Sequence, residues 1–198
     1  MGMWTIGVNV PWTVAWTGEQ SFELQPSTHF PGLSDLVQVQ RPGQGTPMFA
    51  AQHVTRHRMG IADHRCHVCG NLTPKRDRFI FPVQSGGFIL MGDDTERYVG
   101  NVPPVHFACG KHARLLCPHL NHTLAHALPY PSEPTRLARR TDVVPGMEAV
   151  VKDLPPGVRV VFSCYRLFGP RFTRHVKRLR EEHAARTGEA VVCGWQAA

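Results

Sequence analysis

The stretch His64–Gly70, "HRCHVCG", decides how the rest of this chain is read. Cys66 and Cys69 stand two residues apart, and Gly70 follows at once. A C-x2-C pair lets one tight turn aim two thiolates at a single ion, and a glycine supplies the backbone freedom such a turn needs. Structural zinc takes four ligands in a tetrahedron, so a second pair must come from elsewhere in the chain.

The segment Pro103–Leu120, "PPVHFACGKHARLLCPHL", offers that pair. His106, Cys109 and His112 are evenly spaced, so either His106 with Cys109 or Cys109 with His112 has knuckle spacing. Helix length separates the two sets. With His106 and Cys109 as ligands, a helix starts near Phe107 and runs about three turns to Cys117, ended by Pro118. With Cys109 and His112, about two turns remain. Cys66, Cys69, His106 and Cys109 are therefore the favoured ligands of one structural Zn2+, with His112 in place of His106 as the alternative. Between the pairs, "RFIFPVQ" and "GFILMG" flank Ser85-Gly86 and predict a β-hairpin. Knuckle, hairpin, then a ligand pair at a helix start is the order of a treble-clef zinc finger. Four protein ligands leave no open position for a reacting water, so the metal is expected to be architectural.

"RCHVCG" followed by "PPVHFACGKHARLLCPHL" also resembles a group of uncharacterised zinc-binding proteins of actinobacteria and their phages. Their pattern is Cys-x2-Cys, a hairpin, Pro-Pro-x-Cys-x2-Cys ahead of a helix, and Cys-Pro-His-Leu. Cys117, Pro118, His119 and Leu120 match its end, which puts His106 where the group carries its third cysteine. A His for a Cys is a tolerable exchange at zinc. "GTPMFAAQHVTRHRM" is similar to the group's lead-in, so the likeness spans about residues 41–120. It implies the fold and the metal, and no activity.

Composition bounds the rest. A chain of 198 residues that is 42% hydrophobic has enough apolar material for a core, while 17 prolines and 18 glycines predict long irregular connections. No apolar run approaches the roughly 20 residues of a membrane span. Six cysteines, and no basic residue before Arg41, read as metal ligands and free thiols in a soluble, cytoplasmic protein with no membrane role. Residues 1–40 carry three acidic and no basic side chains, whereas the remainder carries 22 basic and 12 acidic ones. Eighteen of those 22 are Arg, which suits phosphate but also follows from genome composition.

Along the chain, residues 1–60 read as a strand-rich segment and lead-in, with "MFAAQHVTRHRMGIADH" as a short helix into the knuckle. Residues 61–128 form the zinc module, in which "DDTERYVGNVPP" is a polar loop and "HLNHTLAHAL" a second helix. Residues 129–146, with four prolines and the basic run "RLARR", read as a linker. Residues 147–198 form a small α/β element: strand "GVRVVFSCYRLF", helix "PRFTRHVKRLREEHAART" from Pro170 to a Gly188 stop, and final strand "EAVVCGW". Cys164 and Cys193 fit small core positions.

Two further constellations carry chemistry. "FIFPVQSGG" echoes the hairpin of HNH nucleases, but Arg78 and Phe79 stand where a metal-binding Asp and a general-base His are needed, so cleavage is not expected. His119, His122 and His126 share one helical face, either as a second metal site or as a polar face opposite Leu120, Leu124 and Leu128. There is no nucleophile elbow, P-loop or dinucleotide fingerprint, and nothing argues for an enzyme. On the C-terminal helix, Phe172, Val176 and Leu179 make an apolar stripe, while Arg171, Arg174 and Arg178 line another face with Lys177 and Arg180 beside them. With "RLARR" and Lys75, Arg76 and Arg78, they form a distributed basic surface suited to a phosphate backbone, or else a solvated face.

The expectation is an α+β protein with a treble-clef zinc core, N-terminal strands and a C-terminal strand–helix–strand element. Its leading function is that of a zinc-stabilised nucleic-acid-binding accessory or regulatory protein, with DNA as a candidate partner, contacting phosphate through Arg171, Arg174, Lys177 and Arg178. The alternatives are a zinc-braced module that docks a protein partner through Trp4, Trp12 and Trp16, and a degenerate HNH-like nuclease fold.

Overall fold

The computed structural model describes residues 4–82, 85–117, 127–143, 152 and 154–188. Among them the chain is mixed α+β, with three α-helices and strands in four small sheets. None of these helices is long and apolar enough to cross a membrane.

The N-terminal segment is strand-rich, as its β-branched and aromatic stretches predict. Strand β1 (Val14–Trp16) pairs antiparallel with β4 (Pro47–Gln52), and β2 (Phe22–Pro26) forms a hairpin with β3 (Ser34–Gln38). Helix α1 (Val54–Asp63) follows β4 directly. The predicted lead-in helix is thus half strand, because the helix begins only where His53 caps it: His53 Nδ1 accepts the Arg56 N–H at 3.2 Å. Arg56 then reaches back under β1 and places both terminal nitrogens on the Glu19 carboxylate at 2.7 Å, with both side chains buried. Glu19 also accepts the N–H groups of Trp16 and Arg41, so its buried carboxylate is held by four hydrogen bonds, while the Arg56 Nε meets no acceptor among the described residues.

The expected hairpin around Ser85-Gly86 is replaced by two different pairings. Strand β5 (Phe79–Ile80) pairs with β8 (Leu128–Pro129), whereas β6 (Gly87–Leu90) pairs with β7 (Glu96–Gly100). The turn lies at Met91–Thr95, where the stretch read as a strand runs into the one read as a polar loop, and β7 falls within that loop. There Asp94 takes the left-handed conformation (φ 58°) and the Asp93 carboxylate accepts the Thr95 N–H. Ser85 and Gly86 act as anchors instead. The Ser85 carbonyl accepts the Tyr98 hydroxyl at 2.8 Å, and the Gly86 N–H donates to the Asn101 side chain at 2.8 Å. The alternation of Tyr98, Val99 and Gly100 is hidden by full burial of all three.

Residues Arg136–Arg140, inside the stretch read as a linker, form strand β9. It pairs along its whole length with β11 (Ser163–Leu167), completing a four-stranded sheet in the order β6-β7-β11-β9. The single strand expected from "GVRVVFSCYRLF" splits in two. Val160–Val161 (β10) joins β3 in parallel, and β11 enters the four-stranded sheet, with Cys164 in the core as expected. Helix α3 (Pro170–Thr187) starts on Pro170 and ends at Gly188 in the left-handed conformation, φ 71°. It packs on β7 through Phe172 and Val176, which join Tyr98, Phe168 and Ile80 in an aromatic-rich cluster. Each such buried side chain contributes about 1.5–3 kcal/mol. The predicted helix over "HLNHTLAHAL", the final strand and Cys193 lie wholly or largely outside the described residues.

Candidate metal centre

Helix α1 ends at His64, whose left-handed conformation (φ 57°) turns the chain sharply into the knuckle. The knuckle is a tight backbone device: the Cys66 N–H donates to the Asn71 carbonyl at 2.7 Å and the Gly70 N–H to the Cys66 carbonyl at 2.9 Å. Gly70 has φ 79°, and a side chain there would stand 2.8 Å from the Trp12 ring, so glycine is required on both counts. The N-terminal segment runs alongside, with the Trp12 N–H on the Val68 carbonyl at 2.8 Å.

The second pair arrives on helix α2 (Phe107–Leu116), which begins where the favoured ligand set requires. His106 is its N-cap residue and Cys109 lies in its first turn. Asp77, from the 3-10 turn Lys75–Asp77, accepts the Phe107 N–H at 2.7 Å and so caps α2 from outside. The His67 N–H donates to the Pro104 carbonyl at 2.8 Å, tying knuckle to helix start.

Ligand atoms of Cys66, Cys69, His106 and Cys109 all lie within 4.8 Å of one another. His106 Nδ1 stands 3.5 Å from the Cys69 sulfur and 3.8 Å from the Cys109 sulfur. Zn–S and Zn–N bonds of about 2.3 and 2.0 Å in a tetrahedron put sulfur and nitrogen about 3.6 Å apart, so the donor set fits zinc in kind and in spacing. The other ring nitrogen, Nε2, is 3.1 Å from the Leu72 carbonyl. A proton held there leaves the Nδ1 lone pair facing the sulfurs, the usual support for a metal-bound imidazole.

The electrostatics point the same way. Burial pushes the Cys66 thiol up, against the lowering effect of the Cys69, His106 and Val68 N–H groups that face its sulfur. Cys109 is pushed up to about 12 by burial and by the Cys66 and Cys69 sulfurs. A divalent cation between these sulfurs would offset that cost, since a coordinating thiol is deprotonated outright. One zinc on three thiolates and a neutral imidazole would carry a net charge of −1, with no ligand position left over.

His112, the alternative ligand, points elsewhere: its Nε2 donates to the Val8 carbonyl at 2.7 Å. His119, His122 and His126 lie outside the described residues. Among those described, no other group of three or more His, Cys, Asp or Glu side chains offers ligand atoms so close together.

The proposed phosphate contacts form one exposed stretch of α3 but are unequally engaged. Lys177 pairs with Glu96 at 2.9 Å, and Arg178 lies 3.6 Å from Glu182. Arg171 and Arg174 meet no acceptor among the described residues. Arg180, expected beside them, is buried: it donates to the Pro82 and Ser85 carbonyls and stacks on Phe88. Arg78 also turns inward, onto the Thr73 carbonyl and over the Tyr130 ring, so it braces the scaffold beside Phe79 of β5. Of the three tryptophans in the N-terminal segment, Trp4 is 49% exposed and packs edge-on against Phe49, Trp12 covers the knuckle, and Trp16 is a core residue. The supporting Asp77 and the Leu72 carbonyl escape sequence reasoning, because neither stands at a diagnostic spacing from the helix it serves.

No protein family, curated protein or solved structure matches this chain.

Proposed function

We propose that this protein is a zinc-stabilised accessory or regulatory factor of treble-clef type that binds nucleic acid through the basic face of α3. The observation that carries the reading is the convergence of Cys66, Cys69, His106 and Cys109 on one point. A ligand pair on a tight turn and a second pair on the first turn of a helix, with β-structure between, supports the treble-clef assignment. When bound, the zinc supplies positive charge to three thiolates and ties the knuckle to α2. The chain's own residues do the rest: Leu72 orients His106, Asp77 caps the helix, and Trp12 shields the turn.

Arg171 and Arg174 are exposed and uncommitted among the described residues, and the chain carries a formal net charge of +7. Each phosphate contact releases counterions, so affinity falls steeply with salt. The test is duplex-DNA binding by the zinc-loaded chain at two salt concentrations. Salt-sensitive binding that is lost in the double variant Arg171→Ala/Arg174→Ala is expected, and no binding at low salt would overturn it. The exposed Trp4–Phe49 pair favours a second reading, docking of a protein partner at the N-terminal segment. A stable partner that is lost on Trp4→Ala, from a chain that ignores DNA, would establish that reading instead.

A further inference from the structure

Phe107 follows the ligand His106 and opens α2, yet its ring is 53% exposed. It leans on Phe79, with ring centres 5.3 Å apart and planes tilted by 50°. Lys111, one helical turn on, holds its ammonium 5.7 Å from the ring centre. The Leu72 carbonyl bonded to His106 brings Leu72, 60% exposed, to the same helix start. Lys75 and Arg76 are exposed on the 3-10 turn whose Asp77 caps Phe107. At this helix start the Asp77 carboxylate is engaged by the Phe107 N–H.

We infer that Phe107, floored by Phe79 and collared by Lys75, Arg76 and Lys111, is a stacking shelf for the unpaired bases of single-stranded nucleic acid. The inference rests on the nucleic-acid reading above and adds to it a second surface and a preferred substrate. An exposed flat ring among cations suits a base, which offers a π-face to the ring and a phosphate to the ammonium groups whatever its sequence. Duplex bases are already stacked and cannot use such a ring, so the shelf selects for single strands or unpaired ends. The zinc site matters here as a brace. It fixes the start of α2, and with it the angle at which Phe107 is offered.

The test is fluorescence anisotropy with the full zinc-loaded chain, a labelled 12-nucleotide oligo(dT), the same oligomer carrying abasic sites, and a 12-base-pair duplex. Phe107→Ala is expected to weaken oligo(dT) binding by about tenfold and to leave duplex binding within about twofold. Phe107→Trp should retain or improve it, and Phe107→Leu, which keeps the packing on Phe79 without the π-face, should behave like Ala. Zinc content of one per chain in each variant confirms that the helix start is intact. Lys111→Gln should lower the slope of log affinity against log salt by about 0.7 for the single strand. Equal binding of abasic and intact oligomer, or an unchanged affinity in Phe107→Ala, would overturn the shelf while leaving the duplex reading standing. If neither the oligo(dT) nor the duplex binds at low salt, the nucleic-acid reading fails and the shelf falls with it. Polyglutamate binding that is lost in Phe107→Ala, with oligo(dT) ignored, would make the patch a protein-docking surface instead.

Discussion

The knuckle and the C-terminal sheet hold their shape by different means. Around Tyr98, Phe168, Phe172 and Val176, four-strand pairing and an 18-residue helix enclose a buried aromatic cluster, with ring centres 4.9–5.9 Å apart. Around Cys66 and Cys109 the apolar cluster holds two other well-buried residues, Val68 and Val105, while Leu72 and Phe107 are left exposed. There the backbone is a chain of turns, and three thiols and an imidazole stand where a core would otherwise be. One region is stabilised by area removed from water; on the proposed zinc reading, the other is stabilised by coordination. Stability should therefore be metal-linked in the knuckle and metal-independent in the sheet.

Metal removal is the largest expected effect. Structural zinc sites contribute roughly 10–16 kcal/mol of apparent binding energy at neutral pH, which folding spends on ordering the site. Chelation, or Cys66→Ser, should open residues 64–72 and the start of α2 to proteolysis and amide exchange, while the exchange protection of α3 and β11 persists. Loss of protection in both regions together would show that they fold as one unit.

Phe172→Ala should act the other way round. It removes a buried ring from the aromatic cluster at a cost of about 3–5 kcal/mol, with zinc stoichiometry unchanged. A urea titration followed alongside metal content separates the two. Glu19→Gln should cost about as much, because it leaves Arg56 charged, buried and deprived of its carboxylate.

The two regions also differ in how far their sequence reveals them. The ligand set was legible because coordination demands residue types at short, fixed spacing, and because Pro118 limits how late α2 can start. Helix α3 was equally legible, from Pro170, Gly188 and an apolar stripe at helical period. Sheet pairing was not. Ser85-Gly86 carries a turn signature yet serves as an anchor for Tyr98 and Asn101, while the actual turn rests on Asp93 and Asp94. "RLARR" has the composition of a solvated linker, but β11 offers its backbone a full ladder. Arg180, expected beside the basic face of α3, is buried because three carbonyls converge near Pro82 and Ser85. Such long-range hydrogen-bond partners leave no local pattern.

A smaller effect tests how tightly α1 is clamped between the regions. His57 is held against the backbone, its Nε2 2.7 Å from the Asn101 carbonyl. Burial lowers its pKa to about 4, helped by the charge of Arg58 and opposed by the Asn101 bond. The folded state thus refuses a proton that the unfolded chain takes up near 6.5. The stability His57 contributes is full above about pH 6.5 and is lost as pH falls toward 4, to a limit of about 3 kcal/mol. Urea midpoints across that range should fall less steeply in His57→Gln than in the parent chain; identical slopes would show that the imidazole is hydrated. The smallest effect belongs to the exposed basic face. Arg171→Ala/Arg174→Ala should shift stability by no more than about 0.5 kcal/mol, so that any loss of nucleic-acid binding is a loss of contacts.

The central claim is that one metal ion, held by Cys66, Cys69, His106 and Cys109, builds the knuckle. Cobalt(II) exchange tests it most directly, since the visible spectrum reports tetrahedral geometry and sulfur-to-metal charge transfer reports thiolate ligation. The account predicts one cobalt per chain in a tetrahedral three-sulfur, one-nitrogen site, displaced by zinc and lost in Cys66→Ser and Cys109→Ser but kept in His112→Ala. Full metal retention in the two cysteine variants, or loss in His112→Ala with His106→Ala unaffected, would contradict it.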